Sequence, residues 1–274
     1  MGIVHRGMAI TLAALTLLSG ALAAPVETVL YSFTGGSDGL NPYAGLIADN
    51  HGALYGTTVG GGIAGNGTVF KLTPPAKGQA PWEETVLHSF TGGSDGANPQ
   101  ANLIADNQGA LYGTTVSGGM ASGSLGNAGT VFKLTPPAKG QAAWKETVLY
   151  SFTGGSDGLN PYAGLIADNH GALYGTTGLG GNGNAGTVFK LTPPAKGQAP
   201  WKETVLYLFC SQGGCSDGAE PIAGLIADNQ SALYGTTLIG GNGHAGTVFK
   251  LTPPAKGQAA WKPFDEIKYA NAES

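Results

Sequence analysis

Apolar and polar residues alternate in short runs along most of this chain. In Thr28–Phe33, Val29, Tyr31 and Phe33 fall on one face, and β-branched and aromatic residues dominate. That is the period and composition of a β-strand. Thr34-Gly35-Gly36-Ser37-Asp38-Gly39 breaks the run, and Pro42 is expected to hold Asn41 extended. Ala44–Ala48, Ala53–Thr58 and Thr68–Thr73 predict three more strands. Asp49-Asn50-His51-Gly52 reads as a hairpin turn, and Pro74-Pro75 stops the last strand.

The unit then repeats. Glu27-Thr28-Val29-Leu30 returns at Glu84, Glu146 and Glu203, at spacings of 57, 62 and 57 residues. Each copy carries Ser-Asp-Gly, Ala-Leu-Tyr-Gly-Thr-Thr and Gly-Thr-Val-Phe-Lys-Leu-Thr-Pro-Pro in the same order. A repeat of this length is one supersecondary unit that buries its faces only by stacking on its neighbours. Four short antiparallel strands are the content of one propeller blade. The predicted fold is all-β: a four-bladed β-propeller over residues 25–262. Its ring closes through the N-terminal strand, because the fourth repeat lacks an outer strand after Trp261. A β-solenoid is the alternative. Helical repeats are excluded by the glycine, proline and β-branched content.

The ends differ from the repeats. Residues 1–24 have a short positive start, an apolar stretch from Met8 to Leu18 and the small-residue run Ala21-Leu22-Ala23-Ala24. They read as a signal peptide. Residues 263–274 form a divergent tail: Pro263-Phe264-Asp265-Glu266-Ile267 stands where Glu-Thr-Val-Leu-Tyr is expected. Arg6 is the only arginine, so the exported chain carries 12 − 17 = −5 charges. With no basic patch, nucleic acid is not an expected partner. No second apolar stretch is long enough to span a membrane.

The run Gly45-Leu46-Ile47-Ala48-Asp49, then Gly52-Ala53-Leu54-Tyr55-Gly56-Thr57-Thr58 and Gly67-Thr68-Val69-Phe70-Lys71-Leu72, resembles the Gloeobacter/Verrucomicrobia repeat of the choice-of-anchor tandem repeat proteins. The resemblance implies export and surface anchoring, with no established biochemical activity. This chain departs from the pattern in lacking the expected anchor and in stopping mid-blade.

Asp38, Asp95, Asp157 and Asp217 sit in the Ser-Asp-Gly loops, and Asp49, Asp106, Asp168 and Asp228 in the Ala-Asp-Asn turns. Turn capping by these carboxylates is the favoured reading, with calcium as the alternative. No catalytic, cofactor or metal residue is assigned. The histidines are scattered, and equal aspartates in four copies single out no acid pair for glycoside hydrolysis. Trp82, Trp144, Trp201 and Trp261 are read as packing between blades rather than sugar platforms.

The copies disagree most in the loop between the third and fourth strands. Val59, Ile63, Val116, Met120, Leu179, Asn182, Leu238 and His244 are therefore the candidate ligand-binding residues. Cys210 and Cys215, the only cysteines, lie in an expansion of the fourth Ser-Asp-Gly loop and predict a disulfide in an oxidising compartment. The functional expectation is a secreted or surface, monomeric binding or structural module for a cell-envelope or extracellular glycan or protein. The alternatives are a propeller-type polysaccharide hydrolase or lyase, and a truncated repeat protein without selected activity.

Overall fold

A computed structural model describes residues 26–76, 81–120, 127–195, 200–254 and 261–263. The signal-peptide expectation and the tail beyond residue 263 lie outside them. The chain divides into two units, Met1–Leu30 and Tyr31–Ser274. In the first, residues 26–30 carry no strand.

The second unit holds four antiparallel sheets. Sheet A contains β1 (Ile47–Ala48), β2 (Leu54–Thr58), β3 (Thr68–Thr73) and β4 (Glu83–Ser89). Sheet B contains β5 (Ile104–Ala105), β6 (Leu111–Thr115), β7 (Thr130–Thr135) and β8 (Lys145–Ser151). Sheet C contains β9 (Ile166–Ala167), β10 (Leu173–Thr177), β11 (Thr187–Thr192) and β12 (Lys202–Leu208). Sheet D contains β13 (Ile226–Ala227), β14 (Leu233–Thr237), β15 (Thr247–Thr252) and β16 (Lys262–Pro263). Each sheet runs in chain order, so its outer strand comes from the start of the next repeat.

The Leu-Tyr-Gly-Thr-Thr and Thr-Val-Phe-Lys-Leu-Thr strands form where the alternation predicts them. Two expectations change. Ala44–Ala48 contracts to Ile47–Ala48, because Asn41 adopts φ 58° instead of an extended backbone. Asparagine tolerates this left-handed conformation. It leaves the Asn41 carbonyl accepting from the Val59 and Tyr43 amides. Thr28–Phe33 is not a strand, although its counterparts in β4, β8 and β12 are paired along β3, β7 and β11. A strand is stable only with a ladder partner.

The core repeats with the sheets. Phe90, after β4, packs edge to face on Phe132 of sheet B, with centroids 5.2 Å apart. Phe152 on Phe189 and Phe209 on Phe249 repeat the contact at 5.1 and 5.0 Å. Gly113 is required beneath Phe132: a Cβ there would lie 2.6 Å from the ring. Hydroxyls join successive sheets, Thr57 donating to the Ala101 carbonyl at 3.3 Å, Thr114 to Ala163 at 3.0 Å and Thr176 to Ala223 at 3.2 Å. Trp144, Trp201 and Trp261 pack half-buried against the core clusters, whereas Trp82 is half-buried outside them.

Among the described residues of Tyr31–Ser274, both ends of the stack expose apolar side chains. Leu46 of sheet A is 50% exposed, whereas its counterparts Leu103, Leu165 and Leu225 are buried. Val248 of β15 is 83% exposed, whereas Val69, Val131 and Val188 are fully buried. The outer partner of β15 is the two-residue β16, where Pro263 occupies the register position that Glu84 holds opposite Leu72. Proline has no amide hydrogen to donate at that position.

Candidate functional site

The Ser-Asp-Gly loop and the variable loop of each repeat are zipped together. Leu40 bridges Gly60, Ala97 bridges Ser117, Leu159 bridges Leu179 and Ala219 bridges Ile239. Second contacts follow, from the Gly62 amide to the Gly36 carbonyl and from Gly119 to Gly93, at 2.9 Å each. Fixed loops on a sheet scaffold are a rigid way to present variable residues.

Between the first and second loop pairs lies a groove of about 600 Å³. It is lined by Asn66, Asn98, Asn127, Ser117 and Met120 with the backbones of Gly92, Gly93, Gly118 and Gly119, and Ala97. None of these side chains is charged. Met120 is 75% exposed at its edge. Asn98 also fixes the scaffold, donating from Nδ2 to the Val59 carbonyl at 3.0 Å.

The sequence-derived loop residues differ in exposure. Ile63, Met120, Leu238 and His244 are exposed. Val116 is buried, and its carbonyl accepts from Asn160 Nδ2 at 2.7 Å, so it joins neighbouring sheets rather than facing solvent. Val59 and Leu179 are half-buried at the loop bases. Asn182 opens a single 3₁₀ turn, Asn182–Asn184. Cys210 and Cys215 stand at disulfide distance, with Cα atoms 4.0 Å apart.

The aspartates are occupied by the chain's own donors. Asp49 accepts from the His51 and Ala53 amides and from the Tyr55 hydroxyl, and the three other Ala-Asp-Asn turns repeat this set. A lysine caps each tyrosine from the paired strand, Lys71 Nζ lying 5.6 Å from the Tyr55 ring centre. Asp157 accepts from the Thr153 amide and hydroxyl and from the Tyr150 hydroxyl at 2.9 Å. Burial, then this hydrogen bond and the Asp157 charge, push the Tyr150 hydroxyl above its usual range. Among the described residues no group of three His, Cys, Asp or Glu side chains is placed to hold a metal ion.

Three glutamates escaped the sequence reading. Glu84, Glu146 and Glu203 each have a buried carboxyl oxygen without a hydrogen-bond partner. Burial first, and then the charge of Asp38, Asp95 or Asp157, pushes each up to about 7. The signal was available only as an invariant Glu opening every repeat. In the second copy His88 replaces the tyrosine, with Nε2 3.4 Å from Asp95 Oδ2. That nitrogen has no hydrogen-bond partner, and burial holds the imidazole below its ordinary value against the pull of Asp95.

The family model of the Gloeobacter/Verrucomicrobia repeat matches residues 16–216 and, in an overlapping match, residues 121–274. No curated protein matches the chain. No helix among the described residues is long and apolar enough to cross a membrane.

Proposed function

The chain belongs to the Gloeobacter/Verrucomicrobia repeat family, and we propose that it is an exported binding module of the propeller kind whose loop face takes a neutral glycan. Four sequential four-stranded sheets stacked through one repeated interface support the blade reading. A cysteine pair at disulfide distance fits the periplasm, cell surface or extracellular space.

The observation that carries the ligand class is the groove lining. Amides, a hydroxyl, glycine backbone and one thioether offer hydrogen bonds and an apolar edge without a net charge. Hydroxyl-rich neutral ligands match such a surface, whereas phosphates or cations would find no counter-charge. No resident cofactor enters this reading, and a calcium-dependent rise in melting temperature would add one. A hydrolase would need unlike groups converging at one place. The raised carboxyls instead recur as near-equals in three copies.

The test is a neutral and acidic glycan screen, followed by calorimetry on a hit with the Val116–Asn127 loop exchanged for that of the third copy. Binding of a neutral glycan that the exchange abolishes, with melting unchanged, is expected. Affinity untouched by the exchange, or binding confined to charged glycans, would overturn the reading.

A further inference from the structure

The two open ends of the stack complement each other. Each internal interface seats a threonine of one sheet on a carbonyl of the next: Thr57 on Ala101, Thr114 on Ala163, Thr176 on Ala223. The fourth threonine, Thr236, is exposed on sheet D. Ala44, which holds the place of Ala101 one repeat earlier, lies on the open face of sheet A beside the exposed Leu40, Tyr43 and Leu46. At the other end Ile226, Leu238, Ile239 and Val248 are exposed. Several large apolar side chains exposed at each end mark a candidate interaction site.

The edge of β15 also has a matching strand. Phe33 packs on Phe70 at 5.0 Å, in the geometry that Phe90 shows on Phe132. Phe33 therefore holds the place of a residue that follows the outer strand of a sheet preceding sheet A. The segment leading into it, Thr28–Ser32, has the sequence of an outer strand and no strand partner among the described residues. Carrying over the β3–β4 register, in which Thr68 faces Ser89, Val69 faces His88, Phe70 faces Val86 and Lys71 faces Thr85, pairs Ser32 with Thr247, Tyr31 with Val248, Val29 with Phe249 and Thr28 with Lys250. These positions precede Leu251, the partner of Pro263.

We propose that two copies of this chain join head to tail, each giving its Thr28–Ser32 strand to β15 of the other and seating Thr236 on the other's Ala44 carbonyl. The interface continues the one already built three times inside the chain. It is heterologous, so it must close into a ring or run on as a fibre. Two copies supply eight sheets, within the four to eight blades typical of propellers. The β15 edge is then covered as β4, β8 and β12 cover β3, β7 and β11.

Light scattering across protein concentration should return twice the monomer mass. Val248→Asp and Val29→Asp change exposed side chains, and each should return the monomer mass with an unchanged far-ultraviolet spectrum. Mixing a Thr236→Cys copy with an Ala44→Cys copy under mild oxidation should give a reducible dimer band. A parent protein at monomer mass would overturn the proposal. So would a ladder of larger species, or a Thr236→Cys/Ala44→Cys double variant that cross-links only within one chain.

Discussion

The Tyr174 hydroxyl donates to Asp168 Oδ2 at 3.0 Å, while Asp168 Oδ1 accepts from the His170 and Ala172 amides at 2.9 Å each. One carboxylate thus ties the turn between β9 and β10 to the strand that follows it. Burial alone would raise its pKa. The Ala172 and His170 amides, the Tyr174 hydroxyl and the Lys190 charge outweigh that and hold the group below 3.8.

Asp168→Ala strands these donors and should cost about 1–3 kcal/mol. Asp168→Asn keeps an acceptor and should cost less. Because the folded value is depressed, the contribution is present above pH 3.8 and fades as the pH falls through the folded value. Urea titrations at pH 7 and pH 3 check this: the cost of Asp168→Ala should shrink at the lower pH.

The Ala-Asp-Asn turn was legible because aspartate and glycine at fixed offsets between two apolar runs leave few backbone choices. The Tyr-Gly-Thr-Thr strand was legible for the same reason, its period being local. What the local pattern does not contain is the neighbour. Glu84 is in the sequence only the first residue of a repeated strand, and its burial and the nearby Asp38 charge appear only once the sheets pack. Val116 reads as a variable loop residue, yet its carbonyl serves the next sheet. Thr28–Phe33 has every local feature of a strand, and the pairing that would make it one is long-range.

His88 is the one tyrosine-to-histidine exchange at its repeat position. Tyr31, Tyr150 and Tyr207 each bond the aspartate of their own loop, at 3.0, 2.9 and 2.7 Å. His88→Tyr should restore that bond to Asp95 and stabilise the protein by about 1 kcal/mol. Thermal melting at pH 7 reads the gain, and an unchanged or lower melting temperature counts against it.

The three glutamates predict an opposite pH dependence. A carboxyl whose folded value is raised from 4.5 to about 7 holds its proton more tightly when folded. That contribution is fully present below pH 4.5 and is lost as the pH rises through about 7. The Glu84→Gln/Glu146→Gln/Glu203→Gln variant should melt higher than the parent at pH 8 and alike at pH 4.5. Partial solvent access screens the effect, so the gain should be about 2–4 °C. Parallel melting curves across this range would refute the assignment.

Cys210 and Cys215 close a short loop within the fourth Ser-Asp-Gly expansion, where both adopt left-handed backbone, φ 55° and 54°. Two glycines lie between them, and Gly214 also has positive φ, 68°. The Cys215 amide bonds the Gln212 carbonyl at 3.0 Å, and Cys210 bonds Gly218 at 3.1 Å. The backbone alone thus folds the loop back and brings the two side chains together. A disulfide there removes little freedom from the unfolded chain, about 2 kcal/mol or less in the loop-entropy account. Cys210→Ser/Cys215→Ser should therefore fold and lose at most a few degrees of melting temperature. Intact mass after alkylation, with and without prior reduction, reads the bond directly in exported protein. The expected result is no alkylation before reduction and two alkyl groups after it. Two groups in the unreduced sample would show that proximity here does not lead to a bond.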